Sequence, residues 1–183
     1  MSKDRDRFLG GCPLDAVLLV YQEDLADKVG LDRFLKEGGE RVGSALDEVI
    51  ASDDPFLGYE TPDGLFACEC VATRFGHPPP TASGSFRPQD IVGTMVRRLK
   101  PLDLYAVRQA IDRVAKTVPF EGAVLDKAKK AVSLLGGEYT GLADDFGQLS
   151  FNEKNDKYSG RRLDNELRAL FRELSGRLER ASQ

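Results

Sequence analysis

The chain has 183 residues, of which 41% are hydrophobic and 31% charged, as is ordinary for a soluble globular protein. No apolar run approaches the roughly 20 residues needed to span a bilayer, and the charged residues 1–7 do not resemble a signal peptide. Three cysteines, an odd number, argue against a secreted disulfide scaffold. We therefore predict a cytoplasmic protein with no membrane partner.

The net charge of −4 is distributed unevenly along the chain. Residues 1–86 carry 16 acidic and 8 basic side chains, whereas residues 87–130 carry 5 acidic and 10 basic ones. Two interpretations remain open, because a basic segment can pair with the acidic part of its own chain or bind an acidic partner.

The first predicted elements are a strand and a helical section. Residues 14–21 form a nearly continuous apolar run, which is typical of a strand buried on both faces. Residues 25–51 carry apolar side chains at helical spacing, with Leu31, Phe34 and Leu35 on one predicted face. Gly38 and Gly39 predict a break between two helices.

A β-hairpin is predicted next. Residues 56–61 and 65–72 are apolar runs of strand length that flank Thr61-Pro62-Asp63-Gly64. Proline presets φ for a turn and glycine accepts a positive φ, so this tetrapeptide is typical of a turn.

The rest of the chain predicts mostly helices. Residues 74–88 contain three consecutive prolines and small polar residues, which predict a flexible loop. Helices are expected from about residue 89 to 99, 102 to 118 and 122 to 135, and strands at 138–142 and 146–151. An amphipathic helix is predicted from about residue 160 to 181.

This order of elements predicts an α+β fold. We expect a small, mostly antiparallel sheet with strands near 14–21, 56–61, 65–72, 138–142 and 146–151, covered by helices. Residues 1–157 are predicted to form a single domain with the flexible loop at 74–88. Residues 158–183 are predicted to form the C-terminal amphipathic helix, packed on that domain or on a partner.

Two groups of side chains are candidate metal ligands. Cys68 and Cys70 would share a face of the predicted strand, but two small thiols packed in a sheet are the more common arrangement. Glu23, Asp24 and Asp63 could meet at one edge of the sheet and bind a divalent cation through oxygen ligands. Catalysis by a divalent-metal enzyme is therefore the second alternative function.

A basic helical section is the second candidate surface. Residues 87–130 include Arg97, Arg98, Lys100 and Arg108, which could bind a polyanion such as nucleic acid. A nucleic-acid-associated regulator is therefore the first alternative function, although the same charges are also typical of a solvated helical face.

A leucine stripe in the terminal helix is the third candidate surface. Its members fall at spacings of 4, 3 and 4: Leu163, Leu167, Leu170 and Leu174. Amphipathic helices of this kind dock on their own domain, on another protein or on a second copy of the chain. Because no catalytic motif is apparent, we predict a non-catalytic binding, adaptor or regulatory protein that needs no cofactor and binds a protein partner or forms a homo-oligomer.

Overall fold

The computed structural model describes residues 30–53, 60–80, 101–137 and 160–182. Within these residues the regular secondary structure is helical and there is no strand. We number the helices in chain order as α1 (Leu31–Glu37), α2 (Gly39–Ala51), α3 (Glu60–Arg74), α4 (Pro101–Ala115), α5 (Gly122–Gly137) and α6 (Gly160–Ala181).

Helix α3 lies at the centre of the packing. It contacts α2, α4, α5 and α6, and every residue from 65 to 72 is fully shielded from solvent. A helix that is apolar on all sides is stable only when other helices surround it. The ring of Phe66 on α3 packs 4.4 Å from that of Phe34 on α1, measured between centroids.

The predicted hairpin is wrong, and with it the predicted α+β fold of the described residues. Residues 65–72 belong to α3 instead of a strand, and Glu60 and Thr61 begin the same helix. A short apolar run does not distinguish a buried strand from a buried helix, because both lack a polar face. The strands predicted at 14–21, 138–142 and 146–151, residues 56–59 of the first hairpin strand and the helix predicted from about residue 89 to 99 lie outside the described residues.

The Thr-Pro-Asp-Gly segment is compatible with a helix start for two reasons. Pro62 lies in the first turn of α3, where its missing N–H leaves no helical hydrogen bond unmade. Gly64 permits a close approach of α3 to α2, since a Cβ atom there would collide with Cγ2 of Val49.

The C-terminus of α3 has the hydrogen bonds of a Schellman motif. Gly76 adopts φ 89° and donates its N–H to the carbonyl of Thr73, while His77 donates to that of Ala72. Glycine adopts this φ without strain, and the prolines that follow cannot continue the helix. Residues 75–80 of the predicted flexible loop are described, and residues 81–88 are not.

The break between α1 and α2 confirms the prediction made from Gly38 and Gly39. Gly38 has φ 60°, and its N–H bonds to the carbonyl of Phe34. A Cβ atom on Gly38 would lie 2.7 Å from Oγ1 of Thr117, and one on Gly39 would collide with the Thr117 carbonyl. The segment that follows α4 approaches both positions so closely that each requires glycine.

Helix α6 packs on α5 and α3. Phe171, Leu174 and Leu178 are buried in the common core, and Phe171 lies over Gly136 of α5. The bounds of α6 confirm the helix predicted over residues 160–181. Within the described parts of the chain, no helix is both long and apolar enough to cross a membrane.

The helices predicted near 102–118 and 122–135 are also confirmed, with different ends. Helix α4 stops at Ala115, because Thr117 and Val118 form turns instead of a final helical turn. One predicted core residue is wrong: Leu35 is 42% exposed, since α1 buries the side that carries Leu31 and Phe34.

Candidate functional site

The cysteines of α3 are buried thiols that face different neighbours. Residues two apart on a helix point about 160° away from each other, so the shared face expected for a strand is lost. The Sγ atom of Cys68 lies 3.6 Å from the carbonyl oxygen of Ala128 on α5, and that of Cys70 lies 4.0 Å from the carbonyl oxygen of Ile111 on α4. Burial, reinforced by the charge of Glu69, raises the pKa of both thiols.

The candidate metal carboxylates are only partly described. Asp63 lies in the first turn of α3, where its Oδ2 atom accepts a hydrogen bond from Arg41, whereas Glu23 and Asp24 lie outside the described residues. In the described parts of the chain, no three His, Cys, Asp or Glu side chains are grouped as metal ligands would be.

The basic residues that could bind a polyanion are also only partly described. Arg97, Arg98 and Lys100 lie outside the described residues. Arg108 of α4 is buried, and its Nη1 atom donates to the carbonyl of Pro80. Binding of nucleic acid by this section stays a prediction.

The leucine stripe of α6 is directed partly into the protein's own core. Leu174 is fully buried and Leu170 is partly buried against the core cluster. The side chains of Leu163 and Leu167 are outside the described part of the structure. The described end of the stripe therefore stabilises α6 on its own fold.

A first polar cluster joins α2 to α3, and we call it the α2–α3 clasp (Arg41, Glu48 and Asp63). The Arg41 guanidinium is buried; its Nη1 atom lies 2.7 Å from Oε1 of Glu48, and its Nη2 atom 2.7 Å from Oδ2 of Asp63. It also lies over the ring of Phe34, with 5.3 Å between Cζ and the ring centroid. Burial lowers the pKa of Arg41, but hydrogen bonds and charges from the two carboxylates outweigh burial and raise it.

A second cluster joins α6 to α3, and we call it the α6–α3 clasp (Arg177, Glu69 and Glu173). Nη1 and Nη2 of Arg177 donate to the two carboxylate oxygens of Glu69 at 2.6 and 2.8 Å. Nε donates to Glu173 at 2.6 Å, and Nη1 also reaches the carbonyl of His77. Both partners of this bidentate pair are buried, and the pair fixes the position of α6 along α3.

An exposed aromatic surface lies where α3 ends, next to the connection between α4 and α5. We call it the aromatic corner (Arg74, Phe75 and Phe120). The rings of Phe75 and Phe120 stack with centroids 4.4 Å apart and an interplanar angle of 19°. The Arg74 guanidinium lies 5.3 Å from the centroid of Phe120, which is 64% exposed.

Backbone carbonyls hold the corner in place. Nε of Arg74 donates to the carbonyl of Val118 at 2.8 Å, which ties the end of α3 to the segment that carries Phe120. Arg177 donates to the carbonyl of His77, and Arg108 donates to that of Pro80. Three arginines therefore fix the backbone on both sides of the stacked rings, and Phe75 itself packs against the core.

No protein-family model, curated protein or solved structure matches this chain. The side chains described above are therefore the basis for any inference about function.

Sequence reasoning missed the clasps and the corner, although each left a signal. Glu69 is the only acidic residue in an apolar run, and a buried charge requires an opposite charge nearby. Arg177 lies three residues after Leu174, on the apolar side of α6. Phe120 directly follows Pro119, a residue that ends a helix. A large aromatic side chain therefore lies just beyond the predicted end of that helix.

Proposed function

We propose that this chain is a non-catalytic binding protein that docks a protein partner at the aromatic corner. The observation that carries the proposal is Phe120, a large apolar ring that is 64% exposed yet held flat against Phe75. Folded proteins usually bury much of the surface of such rings, and aromatic side chains and arginine are enriched at protein–protein interfaces.

The rings of the aromatic corner are already held in fixed positions, which favours binding. A ring already stacked on a partly buried neighbour loses little conformational freedom when a partner covers it, so more of the contact energy is available for affinity. Phe75 supplies that support from the end of α3, and the hydrogen bond from Arg74 to Val118 holds the Phe120 segment beside it.

The chemistry of the corner indicates the kind of partner. Arg74 is exposed and forms no ion pair with a carboxylate of the described residues, which leaves its Nη atoms available to an acceptor. A partner segment with an apolar side chain next to a carboxylate would cover Phe120 and pair with Arg74. We therefore favour an acidic, partly apolar segment of another protein.

Two observations favour the corner over the predicted leucine stripe and over catalysis. Leu174 is already buried in the fold, so the described end of the stripe offers little free surface. Cys68 and Cys70, the strongest nucleophiles among the described side chains, are buried and held in the thiol form.

The proposal is tested by comparing the proteins captured by immobilised wild-type chain, Phe120→Ser and Leu35→Ser. Leu35 is the matched control, since it is the other large apolar side chain exposed in the described part of the structure. We expect Phe120→Ser to reduce recovery of a specific partner at least tenfold, and Leu35→Ser to leave it unchanged. Equal recovery by wild type and Phe120→Ser would contradict the proposal.

Folding of the variants is checked by circular dichroism. Phe120 is 64% exposed, so its replacement should leave the helical signal and the melting temperature close to those of wild type. If the wild-type eluate contains only further copies of this chain, the partner is a second copy, and sedimentation of Phe120→Ser should then show a lower mass.

A further inference from the structure

The α2–α3 clasp places one cation between two carboxylates. Nη1 of Arg41 bonds to Glu48 at 2.7 Å and to Oγ of Ser44 at 3.1 Å, while Nη2 bonds to Asp63 at 2.7 Å and to the second oxygen of Glu48 at 3.3 Å. When all three groups are ionised, the clasp carries one negative charge in excess.

The two carboxylates differ in their access to water. The side chain of Glu48 is 44% exposed, so water solvates its charge. The side chain of Asp63 is 14% exposed, and its Oδ1 atom is buried with no hydrogen-bond partner in the part of the chain that the structure describes. Gly30, which precedes α1, lies beside this carboxylate, since a Cβ atom added to it would lie 3.7 Å from Oδ1 and 3.8 Å from Oδ2.

An ionised carboxylate has about four acceptor positions, and burying it with one hydrogen bond is costly. We propose that the α2–α3 clasp is a proton-responsive contact, in which Asp63 takes up one proton from solvent as the pH falls and α2 packs more stably on α3. Arg41 keeps its two hydrogen bonds to Glu48 when Asp63 is neutral, so its guanidinium stays paired.

The titration of Asp63 agrees with this geometry. Burial raises the pKa of its carboxyl group to about 6, although the hydrogen bond and charge of Arg41 oppose this rise. The charge of Glu48 also raises the pKa, and the charge of Arg33 on α1 lowers it weakly. The described charged groups that act on Asp63 are thus Arg33, Arg41 and Glu48.

The sign of the pH effect follows from the direction of that shift. A pKa that is higher in the folded chain means that the folded state binds more protons than the unfolded state between pH 4 and 6. The contribution of Asp63 to stability therefore increases as the pH falls from 7 to 5. For a shift from 3.8 to about 6, the folding equilibrium constant should increase about tenfold over that interval.

The first experiment measures urea unfolding of the full chain at pH 7 and pH 5 for wild type, Asp63→Asn and Asp47→Asn. Asparagine cannot ionise, so Asp63→Asn should lack the roughly tenfold gain on acidification. Asp47 is an exposed carboxylate on α2 that pairs with Lys127, and its replacement should leave the gain intact. An identical pH dependence in wild type and Asp63→Asn would overturn the proposal.

The second experiment does not depend on a variant that folds. Carbon-13 NMR of the Asp63 carboxyl group in the wild-type chain follows its protonation directly. We expect a titration midpoint near pH 6. A midpoint at or below about pH 4, the value for an exposed aspartate, would overturn the proposal.

Discussion

The two clasps attach α3 to its neighbours with the same set of charges, one arginine and two carboxylates, but their geometries differ. In the α6–α3 clasp, both oxygens of the fully buried Glu69 accept a hydrogen bond from Arg177. In the α2–α3 clasp, Asp63 accepts through one oxygen and its other oxygen lacks a partner among the described residues. Oε2 of Glu173 also lacks a partner among the described residues, but that side chain is 34% exposed, compared with 14% for Asp63. Complete pairing allows the charge of Glu69 to be buried without water, whereas the incomplete pairing of Asp63 favours exchange of a proton.

The largest expected effect is that of Arg177→Met, which leaves the carboxylate of Glu69 buried without its partner. The free energy of unfolding should fall by about 3–5 kcal/mol, because an uncompensated charge remains in the core. Urea unfolding monitored by circular dichroism measures the change. Replacing both partners, with Glu69→Leu added, should recover much of the loss.

Arg172→Met is the matched control for Arg177→Met, because Arg172 is an exposed arginine of the same helix. Its replacement should change the free energy of unfolding by less than about 0.5 kcal/mol. A loss of less than about 1 kcal/mol in Arg177→Met would show that the α6–α3 clasp does not stabilise the fold in the way described.

An intermediate effect is expected from Gly64→Ala, which tests how closely α3 approaches α2 beside the α2–α3 clasp. The added Cβ atom meets Cγ2 of Val49, and overpacking of this kind costs about 1–3 kcal/mol. Gly43→Ala is the control: it lies in α2 with open space around it, and alanine there should stabilise the helix by about 0.5–1 kcal/mol. Stabilisation in both variants would contradict the close contact.

The smallest effect is expected from Glu48→Gln. The side chain of Glu48 is 44% exposed and Asp63 still pairs with Arg41, so the loss should remain below about 1 kcal/mol. The charge of Glu48 raises the pKa of Asp63, so its removal should move the Asp63 titration midpoint downward. Urea unfolding and carboxyl NMR measure the two changes; an upward shift would be inconsistent with two carboxylates sharing one cation.

Whether a helix could be predicted from the sequence depended on whether it has a polar face. Helical periodicity located α1, α2, α4, α5 and α6, because each has a polar face that makes the period visible. Helix α3 has no polar face along residues 65–72, so its hydrophobic pattern predicted a strand. Helix α3, at the centre of the fold, is therefore the helix whose hydrophobic pattern least distinguishes a helix from a strand.

The candidate sites were difficult to predict for a related reason. The partners of Glu69 and Asp63 lie 108 and 22 residues away along the chain, and only the fold brings them together. The corner likewise joins Phe75 to Phe120, whose rings stack only because α3 ends beside the α4–α5 connection. The residue types at these positions stand out in the sequence. Which residues they contact, however, depends on how the helices pack.

The central claim is that residues 60–74 form one helix, held by Asp63 near its start and by Glu69 farther along. NMR secondary chemical shifts of the full chain test this claim most directly. We expect downfield Cα shifts in an unbroken run from about residue 62 to 74, with NOEs between Hα of residue i and the amide of residue i+3. Upfield Cα shifts over 65–72, with NOEs between this segment and residues 56–61, would contradict the claim and restore the predicted hairpin.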